Sequence, residues 1–211
     1  MRKVYIIDSN YPEDHYSGLA DGVVAQYILK ALSIDADLRL ALDRKHFGKA
    51  VKRALKAGCD VLHISTHGND RSIALCNDLR GGDLPEGYDW PEFVDLFQGP
   101  YDPPTALVMS ACGGASMSLA RTFTDAAKRP KIIIGSSDDR SPADYVAAWA
   151  LLYRRFKRKG IERDVAQKAL EVIAAVVNKN FRYLRWDEQR NRYLRYPSTE
   201  SIFEVIEKSK Q

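Results

Sequence analysis

Short aliphatic and β-branched runs alternate along this chain with longer stretches in which apolar positions recur every three or four residues. The first run, Val4-Tyr5-Ile6-Ile7, is apolar without interruption, as a buried strand requires, and it ends at Asp8 and a polar loop from Ser9 to Tyr16. Ser17 then precedes Leu19, Val23, Tyr27 and Ala31, spaced by four, with Ala20, Val24 and Ile28 beside them. That spacing predicts an amphipathic helix with those residues on its inner face. Asp37 to Leu42 alternates with period two, and Asp43 is placed to cap a helix carrying Phe47, Val51, Ala54 and Leu55, with Gly58 as its left-handed stop.

A third strand, Asp60 to Thr66, and a fourth, Thr105 to Ala111, enclose the longest irregular region, which holds Gly68, Gly81, Gly82, Pro85, Gly87, Gly99, Pro103 and Pro104. Within it a short strand at Ser72 to Cys76 and a helix at Trp90 to Phe97 are predicted, and loops of this length in a compact domain are usually functional or mobile. A helix from Ser116, with Met117, Ala120, Phe123 and Ala127 inward, leads to a fifth strand, Lys131 to Ser136. Ser141, Pro142 and Asp144 open a helix through Val146, Trp149, Tyr153 and Phe156, ending at Lys157-Arg158-Lys159-Gly160 where cations suit the negative helix end. Ile161, Val165, Ala169, Val172 and Val176 mark one more helix. Arg182 to Trp186 and Arg192 to Tyr196 then read as an antiparallel hairpin, followed by a short helix from Ser198. Repeated strand and helix predict an α/β fold, a mainly parallel sheet with helices on both faces.

Composition narrows the function classes. In 211 residues, 45% hydrophobic and 28% charged positions exclude a disordered or collagen-like chain, and no apolar run reaches the length of a membrane span. The start leads straight into a strand without a signal-peptide pattern, so a cytoplasmic protein without membrane contact is expected. Lys plus Arg number 32 against 28 Asp plus Glu, a net charge of +4 too small to dictate a polyanionic partner. Cys59, Cys76 and Cys112 are odd in number and widely spaced, which argues against a disulfide framework and a zinc ribbon. Four histidines in no paired spacing give no reason to expect a metal site; His63 reads as a buried hydrogen-bonded residue, and His15 and His46 as surface residues. Cys59 and Cys76 read as structural.

In an open α/β sheet the functional crevice lies at the carboxyl ends of the strands. His67-Gly68 follows the third strand and Cys112-Gly113-Gly114 follows the fourth. On neighbouring parallel strands, about 4.8 Å apart, an imidazole and a thiol emerge at one sheet edge, as a Cys/His nucleophilic pair requires. The helix from Ser116 points its amide end at the Cys112 loop and favours a thiolate there. The N–H groups of Gly68 and Cys112 are candidates for holding an oxyanion, and His67 for protonating a leaving amine. No acidic third partner is evident, and the alternative is that Cys112 merely packs as a small hydrophobe.

A strand ending in His67-Gly68 and, 45 residues later, one ending in Ser110-Ala111-Cys112-Gly113-Gly114 resemble the caspase-like (clan CD) cysteine peptidases: caspases, metacaspases, gingipains, separases and bacterial CHAT-domain proteases. Ser110 stands where caspases carry Gln, which turns the resemblance toward the CHAT and separase side. The likeness covers residues 1 to about 178 in element order, its specific part being the two strand ends. It implies a caspase-like three-layer sandwich forming one peptidase domain over 1–211, with a core to about 178 and the hairpin and helix in 179–211. It also implies a cysteine endopeptidase using Cys112 and His67 on a protein or peptide substrate, with no cofactor.

Specificity in such enzymes is set by loops after the catalytic strands. Asp138 and Asp139, in the loop after the fifth strand, are positioned to receive Arg or Lys by charge-assisted hydrogen bonds. The alternative is that they end the strand and are neutralised by Arg140, while Arg71 and Arg80 keep an acid-specific pocket open. The cations Arg154, Arg155, Lys157, Arg158, Lys159, Arg182, Arg185, Arg190, Arg192 and Arg195, interleaved late with Tyr183, Trp186, Tyr193 and Tyr196, provide a second reading, single-stranded nucleic-acid binding. A hairpin with one covered face gives the same pattern and is preferred. A third reading is an inactive scaffold that binds a partner, and a sensor protein and a homodimer both stay open.

Overall fold

The computed structural model describes residues 3–76 and 87–198. Seven strands form the main sheet: β1 (Lys3–Asp8), β2 (Asp35–Leu40), β3 (Val61–Ser65), β7 (Ala106–Ser110), β8 (Ile132–Ser136), β9 (Phe181–Asp187) and β10 (Arg192–Tyr196). Their spatial order is β10-β9-β8-β7-β3-β1-β2. The five strands from β2 to β8 are mutually parallel, and β9 and β10 run antiparallel at one end. A second sheet of β4 (His67–Gly68), β5 (Ser72–Ala74) and β6 (Gly87–Asp89) is antiparallel throughout.

Because β1, β3, β7 and β8 are covered on both faces, each is apolar at nearly every position. One face packs Tyr5, Ile7, Leu62, Leu107 and Met109 against α3 (Arg44–Lys56), α4 (Trp90–Asp95) and α5 (Met117–Asp125). The other packs Val4, Ile6, Val108 and Ile134 against α2 (Asp21–Ala31), α6 (Pro142–Lys159) and α7 (Arg163–Val176). The predicted three-layer α/β sandwich is therefore the observed one. The helix starts follow their caps: Asp43 accepts from the His46 N–H, Ser116 from Leu119 and Ser141 from Asp144, and Gly58 takes a φ of +63° after α3. No helix among the described residues is long and apolar enough to cross a membrane.

Four expectations are corrected. The segment after β1, read as a polar loop, contains a short helix, α1 (Pro12–Tyr16), with proline at its start and the Asp14 carboxylate accepting the Tyr11 N–H at 3.1 Å. The inner face of α2 is Asp21, Gly22, Ala25 and Leu29, nearly opposite the predicted one, and Tyr27 is 66% exposed. Asp21 is drawn under the sheet edge by two serine hydroxyls, which turns the helix about its axis. On α7 the buried set is Val165, Ala166, Ala169, Leu170, Ile173 and Ala174, and the predicted Val176 is exposed, because the face drifts with the 3.6-residue period. Ala127 lies past the end of α5 and is exposed. The helix expected after Ser198 and the Arg80 loop lie outside the described residues.

Candidate active site

β3 and β7 are hydrogen-bonded parallel neighbours, in a register that sets Ser65 opposite Ser110. His67 and Cys112 each lie two residues beyond that pair, so the strand order brings both loops to one edge of the sheet. The two turns meet backbone to backbone. A Cβ on Gly68 would come within 3.0 Å of the Cys112 carbonyl, and one on Gly113, at φ +67°, within 2.5 Å of the Asn69 carbonyl. Only glycine permits that approach.

His67 is held from the β1 side. Its ring stacks on Tyr11 with centroids 4.6 Å apart, and its Nε2 lies 2.7 Å from Asp14 Oδ2. Asp14 is the acidic partner that sequence reasoning missed. It is 53 residues from His67, and its local signal is the run Tyr11-Pro12-Glu13-Asp14, a helix start immediately after a strand's carboxyl end. With Nε2–H donating to Asp14, the neutral ring keeps Nδ1 as its proton acceptor.

The Cys112 sulfur faces the loop between β8 and α6, where the Arg140 N–H donates to it at 3.5 Å and the Arg140 carbonyl lies 4.0 Å away. No hydrogen bond joins it to His67 among the described residues. Cys112 is also the only one of the three cysteines that is not buried; burial pushes the Cys59 thiol up to about 12. The Cys112 N–H carries no hydrogen bond among the described residues. The Asn69 N–H donates to Ser72, so the alternation of an antiparallel ladder turns the Gly68 N–H away from β5. Asp138 and Asp139 are both exposed, and Asp138 is engaged by Arg140 at 3.1 Å and by Asn180 at 3.2 Å.

Beneath these loops lies a buried polar network. Ser65 Oγ receives the Asn10 side-chain N–H at 2.7 Å and the Gly22 N–H at 3.0 Å, so its own proton goes to Asp21 Oδ1, 2.5 Å away. Ser110 donates to the other Asp21 oxygen and accepts from Trp149 Nε1 at 2.7 Å. Asp8 completes the group, accepting from Asn10 at 3.1 Å with His15 at 3.3 Å. His15 is thus half-buried beside a carboxylate, whereas His46 is exposed and paired with Asp43. Burial raises Asp21 to about 6, against the two serine hydrogen bonds, and the Asp8 charge adds to the rise. The folded protein therefore binds a proton at Asp21 that the unfolded chain releases between about pH 4 and 6. Stability falls as pH rises through that window, at up to about 1.4 kcal/mol per pH unit. Urea unfolding at pH 4 and 6.5 should show that Asp21→Asn loses this part of the pH dependence; an identical dependence in both proteins refutes it.

His63 is buried as expected, with Nδ1 2.7 Å from the Tyr153 hydroxyl, and burial lowers its pKa to about 3. Among the described residues no group of three or more His, Cys, Asp or Glu is assembled to hold a metal ion. In the late hairpin, Tyr183 and Tyr193 are buried and Trp186 lies under Arg129, 4.0 Å from its ring centroid. Those rings are packing surfaces for the sheet.

No family model matches the chain, and no curated protein matches it in sequence. Solved structures do. A secreted C11 cysteine protease from Bacteroides thetaiotaomicron, iotapain, superposes with a TM-score of 0.54 at 8% identity, covering 87% of this chain and 66% of that one. The pro- and mature domains of RgpB, a gingipain from Porphyromonas gingivalis, match with a TM-score of 0.53 at 12% identity, over 85% of this chain and 44% of that one. Caspase-1 from Spodoptera frugiperda matches with a TM-score of 0.49 at 15% identity, over 82% of this chain and 75% of that one. The chain thus spans less than half of the gingipain chain, and its fold is that of the caspase-like cysteine proteases.

Proposed function

We propose that this chain, with its caspase-like fold, is a cysteine endopeptidase in which Cys112 is the nucleophile and His67 the proton-transfer residue. The observation that carries the reading is the convergence of His67-Gly68 and Cys112-Gly113 at adjacent strand ends, with Asp14 orienting the imidazole. The thiolate attacks the scissile carbonyl carbon, and the oxyanion that forms is held by the N–H groups of Gly68 and Cys112. His67 delivers a proton to the leaving amine as the C–N bond breaks. It then takes one from the water that hydrolyses the thioester, which returns the thiol. A direct bond between His67 and Cys112 is not needed for this sequence, because the imidazole acts on the amine and the water, with the peptide lying across the joined loops between the two side chains.

The preferred substrate carries a basic residue before the scissile bond. Asp139, exposed after β8, is the carboxylate open to receive it, since Asp138 is bound to Arg140 and Asn180. A panel of peptide reporters with Arg, Lys, Asp or Leu at that position tests both statements, with a peptide ketone probe used alongside and located by mass spectrometry. Cleavage after Arg or Lys, and label on Cys112, are expected. Cleavage only after Asp removes the role of Asp139, and label on another residue removes the enzyme assignment.

A further inference from the structure

Tyr145 is 5% exposed, and its hydroxyl, enclosed in the interior, makes no hydrogen bond within ordinary reach among the described residues. Buried hydroxyls are nearly always paired, so an orphan requires a physical reason. The ring is not free to turn the hydroxyl elsewhere. It stacks on Trp149 with centroids 5.8 Å apart and planes 20° apart, and it meets Phe181 edge-on at 5.8 Å and 89°. Trp149 is itself pinned through its indole N–H to Ser110, two residues before Cys112.

Tyr145 lies on the first turn of α6, four residues past the Ser141 cap. Arg140, immediately before that cap, is the residue whose N–H reaches the Cys112 sulfur at 3.5 Å. The groups that act on the Tyr145 hydroxyl agree with this position. Burial raises its pKa most, followed by the charge on Cys112 and then Asp21 on α2; Cys112 is also near enough to act on it as a hydrogen-bond partner, and Arg140 opposes. The hydroxyl thus keeps its proton throughout the working pH range.

We infer that Tyr145 is a further catalytic residue, whose hydroxyl donates a hydrogen bond to the Cys112 thiolate and favours the ionised nucleophile. The inference rests on Cys112 being the reactive thiol of the proposed peptidase. A neutral thiol is a weak acceptor, which leaves the hydroxyl orphaned; a thiolate is a charged acceptor and completes it. Tyr145 transfers no proton: the thiol proton passes through solvent to His67, and the Tyr145 O–H stays intact. The sulfur then has two donors, the Arg140 N–H and the Tyr145 O–H, both from the β8–α6 side.

The test is the pH dependence of iodoacetamide alkylation at Cys112, followed by mass spectrometry of its peptide, in the wild-type protein and in Tyr145→Phe. Phenylalanine keeps the ring between Trp149 and Phe181 and removes only the hydroxyl. The apparent pKa of Cys112 should rise by about one unit, a tenfold smaller thiolate fraction at a pH below both pKa values. The more basic thiolate is intrinsically more reactive, leaving a net fall in alkylation rate of roughly three- to fourfold. Asp21 contributes its own inflection near 6, common to both proteins. The melting temperature should be unchanged or higher, since an unpaired buried hydroxyl is lost. An alkylation profile equal to the wild type overturns the inference, and so does a melting temperature several degrees lower, which would show that the hydroxyl has a structural partner. Alkylation reads the sulfur and not peptide hydrolysis, so absence of cleavage in the wild type would sink the peptidase reading while leaving this comparison to decide on Tyr145.

Discussion

Cys112→Ala should fold like the wild type and lose peptide cleavage by at least about a thousandfold, because removing the nucleophile of a covalent mechanism leaves only binding and oxyanion stabilisation. The fold is expected to tolerate the change for a structural reason. The sulfur is half-buried and its hydrogen-bonding contacts are with the Arg140 peptide at 3.5 and 4.0 Å, so alanine opens no large cavity and strands no charge. Reporter hydrolysis and a melting curve on the same preparation are the measurements. Cleavage retained at the wild-type rate in a folded Cys112→Ala protein removes the assignment of Cys112. Cys59→Ala is the contrast: that thiol is buried, with its pKa pushed up to about 12, and losing it should affect stability and not turnover.

The second large effect is at Gly113. An alanine there meets two penalties at once. Its φ of +67° costs a non-glycine residue roughly 1–2 kcal/mol. Its Cβ would also lie 2.5 Å from the carbonyl carbon and oxygen of Asn69 and 2.6 Å from the Asp70 nitrogen, all backbone atoms that cannot rotate away. The turn carrying Cys112 must then move off the loop that follows His67. Gly113→Ala should therefore lose about 2–4 kcal/mol in urea unfolding, the range of other strain and overpacking effects, and tenfold or more in kcat/KM. Gly18 separates the two penalties, because it has φ +74° and nothing within 4 Å of its would-be Cβ. Gly18→Ala should show only the smaller backbone cost and keep its activity. Equal losses at the two glycines would contradict the close approach of the two loops.

The parts of this protein legible in its sequence are those governed by local rules. Uninterrupted apolar runs marked the buried strands, hydroxyl and carboxylate caps marked the starts of α3, α5 and α6, and glycine after a strand marked the two turns that meet at the site. What escaped depends on partners far along the chain. The apolar stripe Leu19, Val23, Tyr27, Ala31 is a good helical face by periodicity, yet α2 turns the other way because Asp21 is bound by Ser65 and Ser110 from two different strands. No hydropathy pattern contains that bond. Asp14 reaches His67 only through the return of β3 beside β1, and Tyr145 looks like any core aromatic until its hydroxyl is found without a partner. Arg140 as the neutralising neighbour of Asp138 was readable, since the two are adjacent in the same loop.

Among the described residues β2 is left at one edge of the seven-stranded sheet, with a row of backbone groups that no other described strand pairs. That strand carries Asp35, Asp37 and Arg39, with the last two paired at 3.1 Å. A strand joining there would have to strip water from these charges, and a second copy would bring carboxylates against carboxylates. Charges on an edge strand are how sheet proteins stay dispersed at high concentration. Leu40, 54% exposed, is the last residue of β2 and still pairs with Asp8, and Leu42, 40% exposed, follows it on that border.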